Sequence, residues 1–186
     1  LTEYGPLKQN VYNSYALQAD SWRQGRLDLG QDYPYLELAV YNGKYYVSFP
    51  PFPSYILFPL TFIFGSNTPD ALLMWFISLL SAGYLYRLAL QFRLSEPLSA
   101  LTTLTVILGS NATFNMLNPG AWFFAQNLCF LLAVMTIYYA GNGKGGWALF
   151  FWACSVGCRP MQIFFLPVVL LILYIVEKKK SPELSG

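Results

Sequence analysis

Histidine is missing from this 186-residue chain altogether, and charge is scarce, with 11% of residues being Asp, Glu, Lys or Arg against about 25% in an average soluble domain. Without histidine the chain has neither the commonest general base nor the commonest metal ligand. With so little charge, and with 55% of its residues hydrophobic, it cannot clothe a water-facing surface, which excludes a soluble globular enzyme. A net charge of +2 with no basic face excludes nucleic acid as a partner. Cysteine is sparse too. Cys129, Cys154 and Cys158 all lie in apolar runs, where a small buried thiol is the expected state, and this excludes a disulfide-stapled secreted module.

What charge there is sits unevenly. Glu3, Lys8, Asp20, Arg23, Arg26, Asp28, Asp32, Glu37 and Lys44 crowd the first quarter of the chain, whereas no charged residue occurs from Pro97 to Gly143. A spanning helix needs about 20 apolar residues, so that one uncharged stretch has room for two. The expected fold class is therefore an all-α polytopic membrane protein with about five transmembrane helices. Residues 1–69 form an external region carrying a short helix, a β-hairpin and an interfacial helix. Residues 70–177 form the transmembrane part, and residues 178–186 a cytoplasmic tail.

Within the external region, Val11, Tyr15 and Trp22 recur at roughly helical spacing, which predicts a helix over 10–24 closed by Gly25. Two aromatic and β-branched runs, 36–41 and 44–49, flank Asn42-Gly43, the pair best suited to a two-residue hairpin turn because both residues tolerate positive φ. The prolines of Phe49-Pro50-Pro51-Phe52-Pro53 stop that structure. The apolar run 54–65 is too short to span and suits the interface, and 66–69 breaks it. The expected spans are 70–92, 97–117, 120–140, 145–158 and 161–176, the last two hinged at Arg159-Pro160. If they alternate, Arg93, Lys144 and Lys178 to Lys180 share one side, which the positive-inside rule makes cytoplasmic. Residues 1–69, Asn118-Pro119 and Arg159 then share the outer face, where an active site is expected.

Arg159 is the sharpest single residue on that face. A guanidinium between two apolar segments either reaches the interface as an anchor or pairs with an anion, and its planar fork suits phosphate better than a lysine does. With histidine absent, a proton acceptor has to be a carboxylate of the external region: Glu3, Asp20, Asp28, Asp32 or Glu37. Asp32 and Glu37 are weak candidates for a cation, and a divalent metal requirement stays open. Arg23, Arg26 and Lys44 are placed to meet an anionic headgroup or to balance these acids. The dense aromatics from Tyr33 to Tyr55 serve equally as an interfacial belt or a sugar-stacking surface. The sequon Asn111-Ala112-Thr113 falls inside an apolar run, where it is a chance match.

The succession Gly25-Arg26-Leu27-Asp28-Leu29, Leu38-Ala39-Val40-Tyr41-Asn42-Gly43-Lys44-Tyr45-Tyr46-Val47 and Phe49-Pro50-Pro51-Phe52-Pro53 resembles the first external loop of bacterial GT-C class membrane glycosyltransferases. That class includes the dolichyl-phosphate-mannose protein mannosyltransferases and the lipid A aminoarabinose transferase. Gly157-Cys158-Arg159-Pro160 is similar to the family's basic residue at the outer end of its fifth helix, and the resemblance runs from about Asn10 to Val176. It implies an integral protein of the bacterial inner membrane, whose partners are membrane lipid and a polyprenyl-phosphate-linked sugar donor. The reaction implied is transfer of the sugar, with inversion, to an acceptor on the outer face. The position of the family's base is taken by Asn10, an amide, which leaves Asp20 or Asp28 as the catalytic carboxylate. Arg159, Asn10, Glu37 and Lys44 are the candidate substrate contacts. The chain is expected to be an amino-terminal portion of such a protein, with a first helix before Leu1. The rival readings are a transporter or flippase for a lipid-linked sugar, and a non-catalytic scaffold of the same family.

The loop bias predicts that Lys144→Cys is shielded from an impermeant thiol reagent added outside intact cells. Efficient labelling there would reverse the orientation.

Overall fold

The computed structural model describes residues 10–118 and 120–180. Glu3, Lys8, Pro119 and the tail from 181 onward lie outside the described residues. Helix α1 (Ser14–Arg23) begins later than the spacing predicts and ends at Gln24, followed by Gly25 with φ +75°, the left-handed position that closes a helix without a Cβ penalty. Strands β1 (Leu38–Tyr41) and β2 (Lys44–Val47) pair antiparallel with Tyr41 opposite Lys44. Asn42 and Gly43 turn between them with φ +49° and +72°, the doubly positive turn whose twist matches the strands. The Leu29 amide donates to the Tyr45 carbonyl at 2.9 Å, holding Leu29 against β2, while the Arg26 amide donates back to the Ser21 carbonyl of α1 at 2.9 Å.

Helix α2 (Phe52–Phe64) starts earlier than expected. The prolines expected to act only as a stop also begin this helix, because Pro53 in the first turn has no intrahelical bond to lose there. Its buried face, with Ser54, Leu57 and Thr61, packs on α1, while Tyr55, Ile56, Phe62 and Ile63 stay exposed. One buried bond, Ser54 Oγ to Gln18 Oε1 at 2.7 Å, pins the two helices together.

The remaining chain is helical: α3 (Asp70–Gln91), α4 (Glu96–Leu108), α5 (Ala112–Leu117), α6 (Ala121–Gly141), α7 (Gly145–Cys158), a 3-10 segment (Pro160–Phe165) and α8 (Leu166–Lys180). The run 97–117 is therefore two helices and not one span. At the break Ser110 Oγ accepts the Ala112 amide at 3.2 Å, and Thr113 Oγ1 donates to the Ile107 carbonyl at 2.7 Å. Such local bonds offer the backbone a partner other than its own helix, which ends one helix and starts the next. The sequon Asn111 sits exposed at this break and not inside a helix.

Among the described residues three segments are long and apolar enough to cross a membrane: Asp70–Gln91, Ala121–Gly141 and Pro160–Lys179. Helices α2, α4 and α7 are apolar but shorter, so about five spans becomes three by length. Burial singles out α6 as the hub, with 56% of its apolar stretch enclosed against 28% for α3 and 6% for the last segment. It packs against α3 and α7, with α2, α5 and α8 also touching it. Polar links cross the α3–α6 seam, where Asn127 Nδ2 donates to Ser78 Oγ at 2.8 Å, an interhelical bond of the kind that holds helices together in apolar surroundings.

From α3 onward the helices run between two ends, while both ends of α2 stay at the first. One end holds the start of α6, the end of α7 with Arg159, and the α1–hairpin region. The other holds Gln91, Gly141, Lys144 and Lys179.

The turn yields a direct test. Gly43→Val forces a β-branched side chain to positive φ, at a cost of about 1–3 kcal/mol, so amide exchange across Leu38–Val47 should accelerate while that of α6 stays slow. Unchanged protection of the hairpin would contradict the turn geometry.

Candidate functional site

Arg159 follows the last residue of α7. Its backbone is extended, with φ −142° and ψ 107°, because the next residue is Pro160 and the α conformation before proline is disfavoured. The Arg159 amide still donates to the Ser155 carbonyl at 2.9 Å, and the Gln162 amide donates to the Arg159 carbonyl at 3.0 Å. The residue is thus a rigid joint between α7 and the 3-10 segment. A cation there also meets the negative end of the α7 dipole. Gly157 brings α7 close to α2: a Cβ at that position would lie 2.9 Å from Phe52 Cβ. Trp152 Nε1 donates to the Gln162 carbonyl at 2.9 Å and clamps the 3-10 segment back onto α7.

The half-buried guanidinium reaches the first turn of α6, where Nη2 donates to the Trp122 carbonyl at 2.7 Å. Its Nε is buried and has no hydrogen-bond partner. Among the described residues no carboxylate pairs with it. Beside it lies a cleft of about 660 Å³ lined by Gln126, Cys129, Arg159, Gln162 and Phe165, with Met161 and Phe164 exposed at its apolar rim. A cation with an unused donor, polar amides and an apolar lip make this a place for an anion attached to an apolar body.

Residues 10–49 meet the same end. The Tyr12 carbonyl accepts the Ala121 amide at 3.0 Å and so caps α6. The Trp122 ring lies 5.4 Å from Tyr12 and 6.1 Å from Phe49, centroid to centroid. Tyr15 is buried against Phe49, and burial pushes its phenol above the ordinary range while the Arg159 charge works in the other direction. Asn10 is buried as well. Its Oδ1 accepts the Tyr12 amide at 2.8 Å, and its Nδ2 lies 3.6 Å from where a Cβ of Gly120 would stand.

Asn10 and Arg159 therefore converge on the first turn of α6. The other expected residues do not join them through any bond among those described. Asp20 is held by Arg23 at 2.7 Å and by Gln24 Nε2 at 2.8 Å. Asp28 faces Lys44 at 3.6 Å, a single loose contact. Glu37 and Asp32 are exposed on the approach to the hairpin, and Glu37 offers only its backbone carbonyl, to Ser48 Oγ. Among the described residues no group of three or more His, Cys, Asp or Glu stands together to hold a metal ion.

The sequence pattern placed Tyr15 only on the face of a helix and did not mark Trp122, Gln126 or Gln162, whose roles arise only when α1, α6 and the 3-10 segment meet. Asp70 opens the expected span 70–92. The structure buries Asp70 and gives it the Thr68 hydroxyl as donor. Comparison with known proteins finds no family model, no curated protein and no solved structure that matches the chain.

The close approach at Gly157 predicts that Gly157→Ala, by pushing Phe52 and α7 apart, lowers the stability of the purified protein by about 1–3 kcal/mol in thermal unfolding. An unchanged transition would show that α7 is not wedged against α2.

Proposed function

We propose that the chain is part of a multi-pass bacterial inner-membrane glycosyltransferase of the GT-C type, which moves a sugar from a polyprenyl-phosphate donor to an acceptor at the outer face. One observation carries this reading: Arg159, paired with no carboxylate among the described residues and with its Nε unpartnered, lines a cleft whose lip is apolar. A phosphate on the guanidinium with its prenyl chain along Met161 and Phe164 satisfies both halves of that cleft. In the transfer, the acceptor O–H oxygen attacks the anomeric carbon and the bond from that carbon to the phosphate oxygen breaks. The electron pair stays on the phosphate, which Arg159 stabilises, and the acceptor proton passes to a carboxylate. Asp28 suits that task better than Asp20, whose oxygens are already engaged by Arg23 and Gln24. Lys44, which lies beside Asp28, and Glu37 are proposed as further contacts to the donor.

A transporter of the same lipid-linked sugar is the second reading, and the interrupted α4–α5 segment favours it, since broken helices are common at transporter sites. A transporter would move the donor between leaflets without consuming it.

A transfer assay on membranes containing the protein, with a lipid-linked sugar donor, tests the reading. Arg159→Ala should lower turnover on the order of 10²–10³. Arg159→Lys, keeping the charge without the fork, should fall between it and the parent, and Asp28→Asn should lose far more than Asp20→Asn. Full activity in both Arg159 variants would remove the residue from the mechanism. Donor translocation without sugar transfer would favour the transporter.

A further inference from the structure

At the opposite end of the molecule from Arg159, the last turns of α3, α6 and α8 enclose a slot of about 270 Å³. Its floor is α6, with Ile137 and Gly141. One wall is α3, with Leu88, Gln91 and Phe92, and the other is α8, with Ile172, Val176 and Lys179. Helix α8 packs on α6 and α7, and its flank toward α3 forms the slot's second wall. From Ile172 to Lys179 the wall runs about 10 Å along the helix axis.

The slot is polar at one end only. Lys179 stands at its mouth, and Gln91 Oε1 is buried there with no hydrogen-bond partner. Gly141 makes room for that amide, since a Cβ in its place would fall within 2.3 Å of Gln91 Nε2. An orphaned buried acceptor costs free energy until a donor meets it. The carboxyl ends of α3 and α6 add partial negative charge at the same level, which also favours a donor or a cation. Lys179, in contrast, calls for an anion. A ligand that satisfies all three carries a positively charged N–H donor and an anionic phosphate next to each other, with an apolar chain to lie against Leu88, Ile137, Ile172 and Val176.

We propose that this slot binds an aminophospholipid. The primary ammonium donates to Gln91 Oε1, the phosphodiester meets Lys179, and one acyl chain fills the groove between α3 and α8. The lipid acts as a wedge for α8, the segment with the smallest buried share of the three long helices. This assignment is independent of the glycosyltransferase reading, because it involves neither Arg159 nor the external region.

The test is lipid retention by the full chain in detergent, measured by native mass spectrometry. Phosphatidylethanolamine, phosphatidylglycerol, phosphatidylcholine and chain-free glycerophosphoethanolamine are titrated in parallel. Phosphatidylethanolamine should be retained roughly tenfold better than phosphatidylcholine, whose quaternary ammonium has no N–H to give; a tenfold ratio corresponds to about 1.4 kcal/mol. Gln91→Leu and Lys179→Gln should each reduce that retention toward the phosphatidylcholine level. Lys178→Gln, which changes a neighbouring lysine that does not line the slot, should leave it in place and so controls for general surface charge. Equal retention of the ethanolamine and choline lipids, or an equal loss in Lys178→Gln, would overturn the proposal. A preference for phosphatidylglycerol over phosphatidylethanolamine would replace the ammonium with simple anion attraction and overturn it as well. Competition by glycerophosphoethanolamine as strong as that of the lipid would show a headgroup site with no acyl groove.

Discussion

One charge, that of Arg159, sets the terms for the end of the molecule where residues 10–49 gather. A guanidinium in a chain this apolar has to be hydrated or satisfied, since an uncompensated charge in low-dielectric surroundings is costly. Here one carbonyl of α6 and the carboxyl end of α7 meet part of its demand, and Nε is left over. The neighbouring structure follows from holding that group in place. Pro160 fixes the joint, Gly157 lets α7 lie against α2, and the Trp122 ring beside the accepting carbonyl anchors Tyr12 and Phe49.

The two ends of the helical region differ in chemistry in a way that composition alone hides. At the Arg159 end, aromatic rings from α1, the hairpin exit and α6 interlock, and the anion-seeking group is braced by backbone. At the other end α3 and α6 finish and α4 and α7 begin, and an amide and Lys179 stand at an apolar slot. The two ends differ in their unmet groups: the first holds a cation braced by backbone, and the second an unpartnered amide oxygen with an exposed lysine beside it. Between them α6 is enclosed on most sides and carries the buried polar seam of Asn127 and Ser78, which keeps the two ends in register.

Features decided by a few adjacent residues were legible in the sequence. Asn42-Gly43 announces its turn because both residues accept positive φ, and Arg159-Pro160 announces a joint because a charge and a missing amide coincide. Gly25 ends α1 for a similar local reason. The α4–α5 break was not legible. Gly109, Ser110 and Asn111 are uncharged and sit in an apolar run, and only the bonds made by Ser110 and Thr113 reveal that the helix stops. Nor were Tyr15 and Trp122 separable from the many other aromatics, since their roles come from contacts between distant elements. Of the carboxylates, the sequence supplied candidates without their partners. That Asp20 is engaged, Asp28 loosely paired and Asp70 buried depends on the folded chain.

The role proposed for Arg159 requires that the cleft beside it receive a lipid-linked phosphate. The most direct measurement is photo-crosslinking with a polyprenyl phosphate that carries a photoreactive group on its first isoprene unit, followed by mapping of the modified peptides. Label concentrated on Met161, Phe164 and Gln126, and displaced by unlabelled polyprenyl phosphate, is the predicted result. Label spread over the exposed faces of α3 and α8, with none at the 3-10 segment, would contradict it.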